Sequence, residues 1–358
     1  MKKGRNRKII VSMSGGVDSS VSLLLLKKWG WQPIGLSMKF ASWNGKENVC
    51  STDTSLKKAQ EVCKSVGVEH FTVDCAKEFE QKTISYFNQM IKEKKTPNPC
   101  VLCNQELKFK KLAEWADQKN IEHIATGHYV RVKKKNSHFE LLRGKDKNKD
   151  QSYFLCLLTQ DLLKRLVFPL GDFKKEEVYQ IAQENGLKDY ENIRQSQDLC
   201  FLNGQSISDY LQKEFGLQKG PILDTYGNEM GQHDGLHFYT IGQRKRINLP
   251  HGPWWVVDFD LSKNALIVTN QEDDPKLFHQ TVIVKNPHFI SKAPIKKTSV
   301  EAKVRYNQEP QKADLYPPEE DILNLFFKEK QKAITPGQWA VFYKKEVCLG
   351  GGVINNFK

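Results

Sequence analysis

Nothing in this 358-residue chain is long and apolar enough to read as a membrane span, which needs about 20 consecutive apolar residues. Its longest greasy stretch, Val21 to Leu26, follows Asp18 and is stopped by Lys27 and Lys28. The basic start (Lys2, Lys3, Arg5, Arg7, Lys8) imitates the head of a secretory signal. No small-residue cleavage site follows it, however, and Asp18 falls where the apolar region should be. A cytoplasmic protein with no membrane partner is expected. Cysteine is scarce too: eight residues in a chain this long do not make a disulfide framework, and read as buried thiols plus a few reactive or ligand ones. There is no internal repeat, no second Cys-x-x-Cys and no Cys/His cluster, so a four-ligand structural zinc lacks its partners. Acid is the minority charge, with 42 Asp and Glu against 55 Lys and Arg, a net +13. That excess suits a polyanionic partner, and nucleic acid is the commonest.

What is present is organised in three stretches. The first half alternates short β-rich runs (Lys8 to Met13, Pro33 to Phe40, His70 to Asp74, Ile121 to Ala125) with helical ones (Val17 to Trp29, Ser55 to Val66, Lys77 to Lys92, Cys103 to Gln118). Such alternation predicts an α/β domain, a doubly wound and mostly parallel sheet with helices on both faces. Val130 to Arg143 reads as a hairpin with a lysine-rich turn. After about Gln205 turn signals crowd in (Lys219-Gly220-Pro221, Tyr226-Gly227-Asn228, Pro250-His251-Gly252-Pro253), as in a small β domain. From about Phe278 the runs suggest a closed β-barrel. The expected domains are 1–205, 206–277 and 278–358.

Two motifs carry chemistry. Ser14-Gly15-Gly16-Val17-Asp18-Ser19-Ser20 lies between a strand and a helix. Its glycines let backbone N–H groups approach an anion, Ser14, Ser19 and Ser20 add hydroxyls, and the helix start favours negative charge. It lacks the Gly-Lys-Ser/Thr ending of a Walker A loop. An S-G-G-x-D-S loop instead resembles the pyrophosphate loop of ATP pyrophosphatases, which split ATP between the α and β phosphates and transfer AMP to a substrate oxygen. Asp18 then becomes a Mg²⁺ contact. The competing reading, a serine–glycine turn that merely caps a helix, is weakened by the strand before it.

The second motif is Thr96-Pro97-Asn98-Pro99-Cys100-Val101-Leu102-Cys103-Asn104. Two prolines stiffen the loop, and a thiol at a helix start ionises more readily. A zinc half-site, a redox pair and a sulfur-handling or cluster site compete here. A third cysteine, Cys200, stands in Ser196-Gln197-Asp198-Leu199-Cys200-Phe201.

Taken together, and with the blocks Ala125-Thr126-Gly127-His128-Tyr129, Lys149-Asp150-Gln151-Ser152-Tyr153-Phe154-Leu155, Phe168-Pro169-Leu170-Gly171, Tyr239-Thr240-Ile241-Gly242-Gln243-Arg244, Val304-Arg305-Tyr306, Thr335-Pro336-Gly337-Gln338 and Leu349-Gly350-Gly351-Gly352-Val353-Ile354, the chain resembles, nearly end to end, the bacterial tRNA-specific 2-thiouridylases, the MnmA family. The resemblance implies a pyrophosphatase domain, a small central domain and a C-terminal barrel. It implies ATP on Ser12, Met13, Ser14, Gly15, Gly16, Val17, Asp18 and Ser19, with Met38 at the adenine edge and Gly127 at the AMP portion. Asn98, Pro99 and Cys100 would meet the flipped target base. The first thiol of the mechanism maps to Cys103 and the persulfide carrier to Cys200, with a disulfide between them as one outcome. Contacts to tRNA, through its anticodon arm, map to His128, Lys149, Asp150, Gln151, Arg305, Tyr306 and Gln338. The implied reaction adenylates the C2 oxygen of the wobble uridine and replaces it with sulfur from a cysteine desulfurase or a relay protein.

One position departs from the family pattern: many members carry Asp where this chain has Cys100. Three thiols (Cys100, Cys103, Cys200) offer ligands for three irons of a [4Fe-4S] cluster, so persulfide and cluster chemistry both stay open at this stage. The remaining cysteines take plainer readings. Cys63, Cys75, Cys156 and Cys348 fall in helices, strands or apolar runs and are expected to be buried and inert, whereas Cys50, in the loop Asn48 to Asp53, is assigned to neither class. His123 is expected as a packed edge residue and Trp254-Trp255 as core. The lysine runs 133–135 and 145–149 become phosphate contacts beside a tRNA reading. Two other functions compete: an amide- or guanidine-forming ligase, which would not need the three cysteines, and a non-catalytic tRNA-binding factor, which would not keep the serine–glycine loop intact.

Overall fold

Alternation within the first strand sets the first layer. The computed structural model describes residue 4 and residues 6–43, 47–187 and 199–358. In β1 (Lys8–Ser12), Ile9 and Val11 pack with Leu23 and Leu26 of α1 (Val17–Lys28). Ile10, pointing the other way, packs with Phe79, Phe109 and Leu112. A strand buried on both faces must be apolar at nearly every position, which is why it reads as a run and not as an alternation. β2 (Gln32–Lys39), α2 (Asp53–Val66) and β3 (His70–Asp74) follow. Next come the helical segments α3 (76–92) and α4 (99–118), then β4 (His123–Ala125).

The hairpin β5 (Val130–Lys135) and β6 (His138–Arg143) precedes β7 (Leu166–Val167) and α5 (Lys175–Glu184). The sheet runs β3-β2-β1-β4-β7, and every pair in it is parallel. The chain steps outward from β1 to β3 and then returns to the opposite side of β1. That reversal leaves a crevice at the carboxyl ends of β1 and β4, where doubly wound sheets bind their ligands.

Both long helical segments depart from plain α winding. Glu80–Ile84 in α3 and Cys103–Phe109 in α4 are π-helical, and such wider turns gather at functional sites.

After α6 (Ile207–Phe215), β8 (Gly220–Asp224), β9 (Glu229–His233), β10 (Trp255–Asp260) and β11 (Ala265–Thr269) form a four-stranded sheet in the order β10-β11-β8-β9. Trp254 and Trp255 are buried in its core clusters. Then β12 (Phe278–Phe289), β13 (Thr298–Lys303), β14 (Gln311–Leu315), β15 (Ile322–Lys332), β16 (Trp339–Lys344) and β17 (Val347–Phe357) pair in the order β12-β15-β14-β13-β16-β17. Antiparallel pairing of β12 with β17 closes them into a six-stranded barrel.

The expected hairpin forms, but not as an ornament of the first sheet. Its β6 pairs with β17 (Val347 with Leu142, Cys348 with Leu141), so the N-terminal half lends two strands to the barrel's edge. An unpaired edge strand exposes a row of backbone donors and acceptors, and this addition covers one. The inert cysteines behave as expected: Cys63, Cys75, Cys156 and Cys348 are buried. Burial pushes Cys63 and Cys348 up to about 12 and, with help from Glu78, Cys75 up to about 11. His123 is buried edge-on against Trp31.

Arg305 sits where the barrel meets the central domain. Its guanidinium donates to the Ile241 carbonyl (3.2 Å), the Ala333 carbonyl (2.6 Å) and Thr335 Oγ1 (3.0 Å). Removing a charged donor that satisfies three acceptors costs about 1–2 kcal/mol. Arg305→Ala is therefore expected to lower the melting temperature even without RNA, and an unchanged melting curve would contradict this bracing.

Candidate active site

Ser12, Met13, Ser14, Asp18, Ser19, Met38, Phe40, Cys50, Lys108, Thr126, Gly127, His128 and Gln151 line a cavity of about 240 Å³ at the crevice between β1 and β4. The serine–glycine loop forms one wall. Gly15 adopts φ +74°, and a Cβ there would fall 2.0 Å from the Ser55 carbonyl oxygen, so only glycine fits. Ser14 and Ser19 share a 3.2 Å hydroxyl contact, and Ser19 Oγ donates to the Gly16 carbonyl at 2.9 Å. Ser20, expected to add a hydroxyl to the anion site, is instead fully buried and donates to the Gly16 carbonyl at 3.0 Å. One helical position beyond Ser19 rotates its side chain toward the core.

Asp18 is the carboxylate of this lining. Its Oδ1 accepts from Lys175 Nζ at 2.6 Å and from the Tyr129 hydroxyl at 2.7 Å. One carboxylate beside phosphate oxygens and water is a donor set that fits Mg²⁺. Lys175 is itself buried, and nothing in the sequence marked it. Its backbone N–H is held by Asp146 Oδ2 at 2.9 Å, which aims the side chain across α1 to the loop.

Cys50 and Lys108 also line the cavity, and Cys100, Cys103 and Cys200 stand close to Lys108. Asn98 precedes the helix start at Pro99, and its carbonyl accepts from Trp339 Nε1 at 3.1 Å. Gln338 Nε2 donates to the Thr96 carbonyl at 2.9 Å, and Thr96 N–H donates to the Pro336 carbonyl at 2.9 Å. The barrel turn 335–338 thus clamps the loop in front of Cys100 and Cys103. Gly337, at φ +93°, permits the approach, since a Cβ there would lie 2.8 Å from the Thr96 oxygen. Cys100 is exposed at the helix start, Cys103 is buried and Cys200 is half-buried. Ser196, Gln197 and Asp198 of the Cys200 motif lie outside the described residues.

Two further residues of this site, besides Lys175, escaped the sequence reading. Lys108 lines the cavity, close to Cys50, Cys100, Cys103 and Cys200. Burial works against its charge, but Cys50, Cys103, Cys200 and Cys100 more than reverse that and hold its pKa above the ordinary range. In an α-helix of 3.6 residues per turn, five positions of separation leave two side chains about 140° apart. The π winding of Cys103–Phe109 removes most of that offset, so Cys103 and Lys108 share a face. Cys50 is the other. Its thiol is hydrogen-bonded to that of Cys200, and its pKa is lowered to about 6, by this bond first and by Lys108 as well, against opposing burial. Cys200 is correspondingly raised, and Cys103 is raised by burial.

A [4Fe-4S] cluster on Cys100, Cys103 and Cys200 would need three thiolates converging on one volume. Among the described residues no three His, Cys, Asp or Glu side chains form such a group, and the Cys200 thiol is engaged by Cys50. This donor arrangement does not fit a cluster.

The expected RNA contacts divide into two sets. His128 and Gln151 line the cavity. His128 shares a 2.7 Å hydrogen bond with Thr126 Oγ1, lies between Phe109 and Phe168, and is pushed down to about 3 by burial and by Lys108, so its ring is neutral. Gln151 Oε1 accepts from the Tyr129 N–H at 2.9 Å. The others lie outside the cavity lining. Asp150 is buried and caps Gly144 and Ser152, Arg305 braces the domain junction, Gln338 holds Thr96, and Tyr306 packs on Phe154 at 4.4 Å. Lys149 is half-buried beside Asp150.

Comparison with known proteins decides the family. A model described as the tRNA methyl transferase HUP domain matches residues 7–204, the corresponding PRC-barrel domain matches 208–270, and an aminomethyltransferase beta-barrel domain matches 279–354. A protein of Pseudoalteromonas translucida named tRNA-specific 2-thiouridylase MnmA is 42% identical over 99% of both chains. Its namesake in Idiomarina loihiensis is 39% identical over 98% of this chain and 96% of that one. The chain belongs to the tRNA-specific 2-thiouridylase family. A Geobacillus kaustophilus protein named tRNA-specific 2-thiouridylase MnmA 1 is 39% identical over 98% of this chain. Within this 2-thiouridylase family the serine–glycine loop and the thiols near Lys108 acquire a joint purpose.

Proposed function

We propose that this chain is a cytoplasmic tRNA-uridine 2-sulfurtransferase, built from a pyrophosphatase domain (1–205), a central domain (206–277) and a tRNA-contacting barrel (278–358). The single observation that carries the reading is that one cavity is lined by an anion-binding loop together with Lys108 and Cys50, with Cys100, Cys103 and Cys200 close to the Lys108 charge. ATP lies on Ser12 to Ser19 with its adenine edge at Met38 and its AMP portion at Gly127. The wobble uridine, splayed from the anticodon arm, meets Asn98, Pro99 and Cys100. Asp18 would hold Mg²⁺, which would supply charge neutralisation when bound. The loop N–H groups and Lys175 take up the negative charge that builds on pyrophosphate as the C2 oxygen is adenylated. The sulfane sulfur on Cys200, delivered by a cysteine desulfurase or relay protein, then attacks C2 and displaces AMP. A second thiol must take over the bond to Cys200 for the base to leave, and the family pattern assigns that part to Cys103.

The test supplies purified enzyme with unmodified tRNA, ATP, Mg²⁺ and a hydropersulfide donor after treatment with an iron chelator. 2-Thiouridine, AMP and pyrophosphate are expected in equal amounts. Pyrophosphate release without the thionucleoside would overturn the reaction, and loss of thiolation restored by iron and sulfide would overturn the persulfide route.

An excess of 13 positive charges implies counterion release on RNA binding. Affinity for tRNA is expected to fall linearly on a log–log plot against salt, with a slope of several units. Filter binding from low to physiological salt measures it, and a flat line would mean the lysines serve solubility alone.

A further inference from the structure

The barrel grips the loop in front of Cys100 through Pro336 and Gln338, and the central domain reaches the same loop by another contact. The hydroxyls of Thr240 and Thr96 share a 3.1 Å hydrogen bond. The segment that brings Thr240 there, 239–246, is seated on the barrel as well. Its Ile241 carbonyl accepts from Arg305 at 3.2 Å. Gly242, at φ +81°, lies so near the barrel that a Cβ there would fall 2.4 Å from the Ala333 Cβ. All three domains therefore meet around this one short segment.

The rest of the segment is fixed just as closely. Gly242 N–H donates to the Val256 carbonyl at 2.7 Å and Val256 N–H to the Gln243 carbonyl at 3.0 Å, which pins it to β10. Gln243 folds back on its own loop: Oε1 accepts the Thr240 N–H at 3.1 Å, and Nε2 donates to the Lys245 carbonyl at 2.9 Å. The Tyr239 hydroxyl donates to the Arg246 carbonyl at 3.2 Å. Arg246 is thereby held at φ +68°, a left-handed conformation that this chain gives mostly to glycine and asparagine. Both adopt it at less cost than an arginine does, so the position keeps a cationic side chain against its backbone preference. Arg244, Lys245 and Arg246 are all exposed. Arg244 rests on the Trp255 ring at 5.3 Å, whereas Lys245 and Arg246 form no ion pair among the described residues. A solvated charge run needs no such scaffold. Adjacent unpaired cations on a rigid loop repel each other until a polyanion arrives.

We propose that this loop is a phosphate-binding site of the central domain, where Lys245 and Arg246 grip the tRNA backbone beside the nucleotide that enters at Asn98, Pro99 and Cys100. This rests on the reading of tRNA as the substrate. The Tyr239 side chain spans the distance from the residue before Thr240 to Arg246, so the cations stand close to the Thr240–Thr96 contact. Phosphate contacts set register and orientation without reading sequence. Here they register the RNA strand against the same loop that receives the base.

The test is filter binding of tRNA to the full-length enzyme across a range of salt, comparing the wild type with Lys245→Ser/Arg246→Asn. Asparagine suits the left-handed backbone and both side chains are exposed, so the melting curve should not move. Affinity at physiological salt should fall about 10-fold, and the log–log salt slope should flatten by about 1.5 units for two lost phosphate contacts. Lys28→Ser/Lys64→Ser removes the same charge from the last turns of α1 and α2, at the amino ends of the strands and away from the crevice. It should leave the slope as it is. Phosphate-ethylation interference should mark anticodon-arm phosphates with the wild type, and fewer of them with Lys245→Ser/Arg246→Asn. An unchanged slope and interference pattern in Lys245→Ser/Arg246→Asn, or equal flattening in Lys28→Ser/Lys64→Ser, overturns the proposal. Absence of tRNA binding by the wild type would instead overturn the substrate reading beneath it.

Discussion

Asp18→Asn is expected to slow pyrophosphate release by about 100-fold or more while leaving tRNA affinity within about threefold of the wild type. The substitution keeps size and shape and removes only charge. Asp18 Oδ1 receives Lys175 at 2.6 Å and the Tyr129 hydroxyl at 2.7 Å, so the carboxylate fixes a buried ammonium behind the serine–glycine loop. With an amide there, Lys175 loses its orienting partner and the Mg²⁺ contact weakens, and both losses fall on the charge-separated transition state. RNA binding driven by the chain's net charge of +13 should barely register the change. Parallel measurement of pyrophosphate release and tRNA binding separates the two effects; unaltered release would remove the loop from the chemistry.

Lys108→Met should lower thiolation by about 100-fold with a diagnostic pH dependence. A cation favours the ionised thiol, so its removal raises the Cys50 pKa above about 6 by the share that Lys108 adds to the larger effect of Cys200. At neutral pH the thiolate population therefore falls. Iodoacetamide labelling of Cys50 should shift its midpoint upward, and thiolation by the variant should recover in part as pH rises through the new value. Lys108→Arg keeps the charge and should retain more of the activity. An unshifted labelling midpoint in Lys108→Met would mean that the hydrogen bond from Cys200 alone sets the thiolate, and that Lys108 serves packing.

Cys100 is informative for the opposite reason. It is exposed at the helix start, in place of the commoner Asp, where a polar side chain of either kind can meet the base. Cys100→Asp is expected to keep thiolation within about 10-fold of the wild type, as measured by nucleoside analysis. Loss of activity together with loss of bound iron would return Cys100 to a ligand role.

Much of the fold was legible because its signals are local. Strand and helix periods in the first half, the turn-rich middle and the short runs of the last 80 or so residues each reflect the nearest neighbours of the chain, and they suffice for a parallel sheet, a small β domain and a barrel. The serine–glycine loop was equally visible, because seven consecutive residues contain both the glycines that open the backbone and the acid beside it. By itself, then, the sequence determined the architecture, the anion loop and the three marked cysteines. Cys50 joins Cys200 across 150 positions through the Val49-to-Cys200 hydrogen bond. Lys175 meets Asp18 across 157 positions, and the barrel's Gln338 holds Thr96 across 242. Lys108 was hidden differently: its five-residue spacing from Cys103 points away in an α-helix and together only after π winding. These placements belong to the tertiary structure, because a side chain's charge state and partner depend on what folding brings within a few ångströms, and sequence distance carries no record of that.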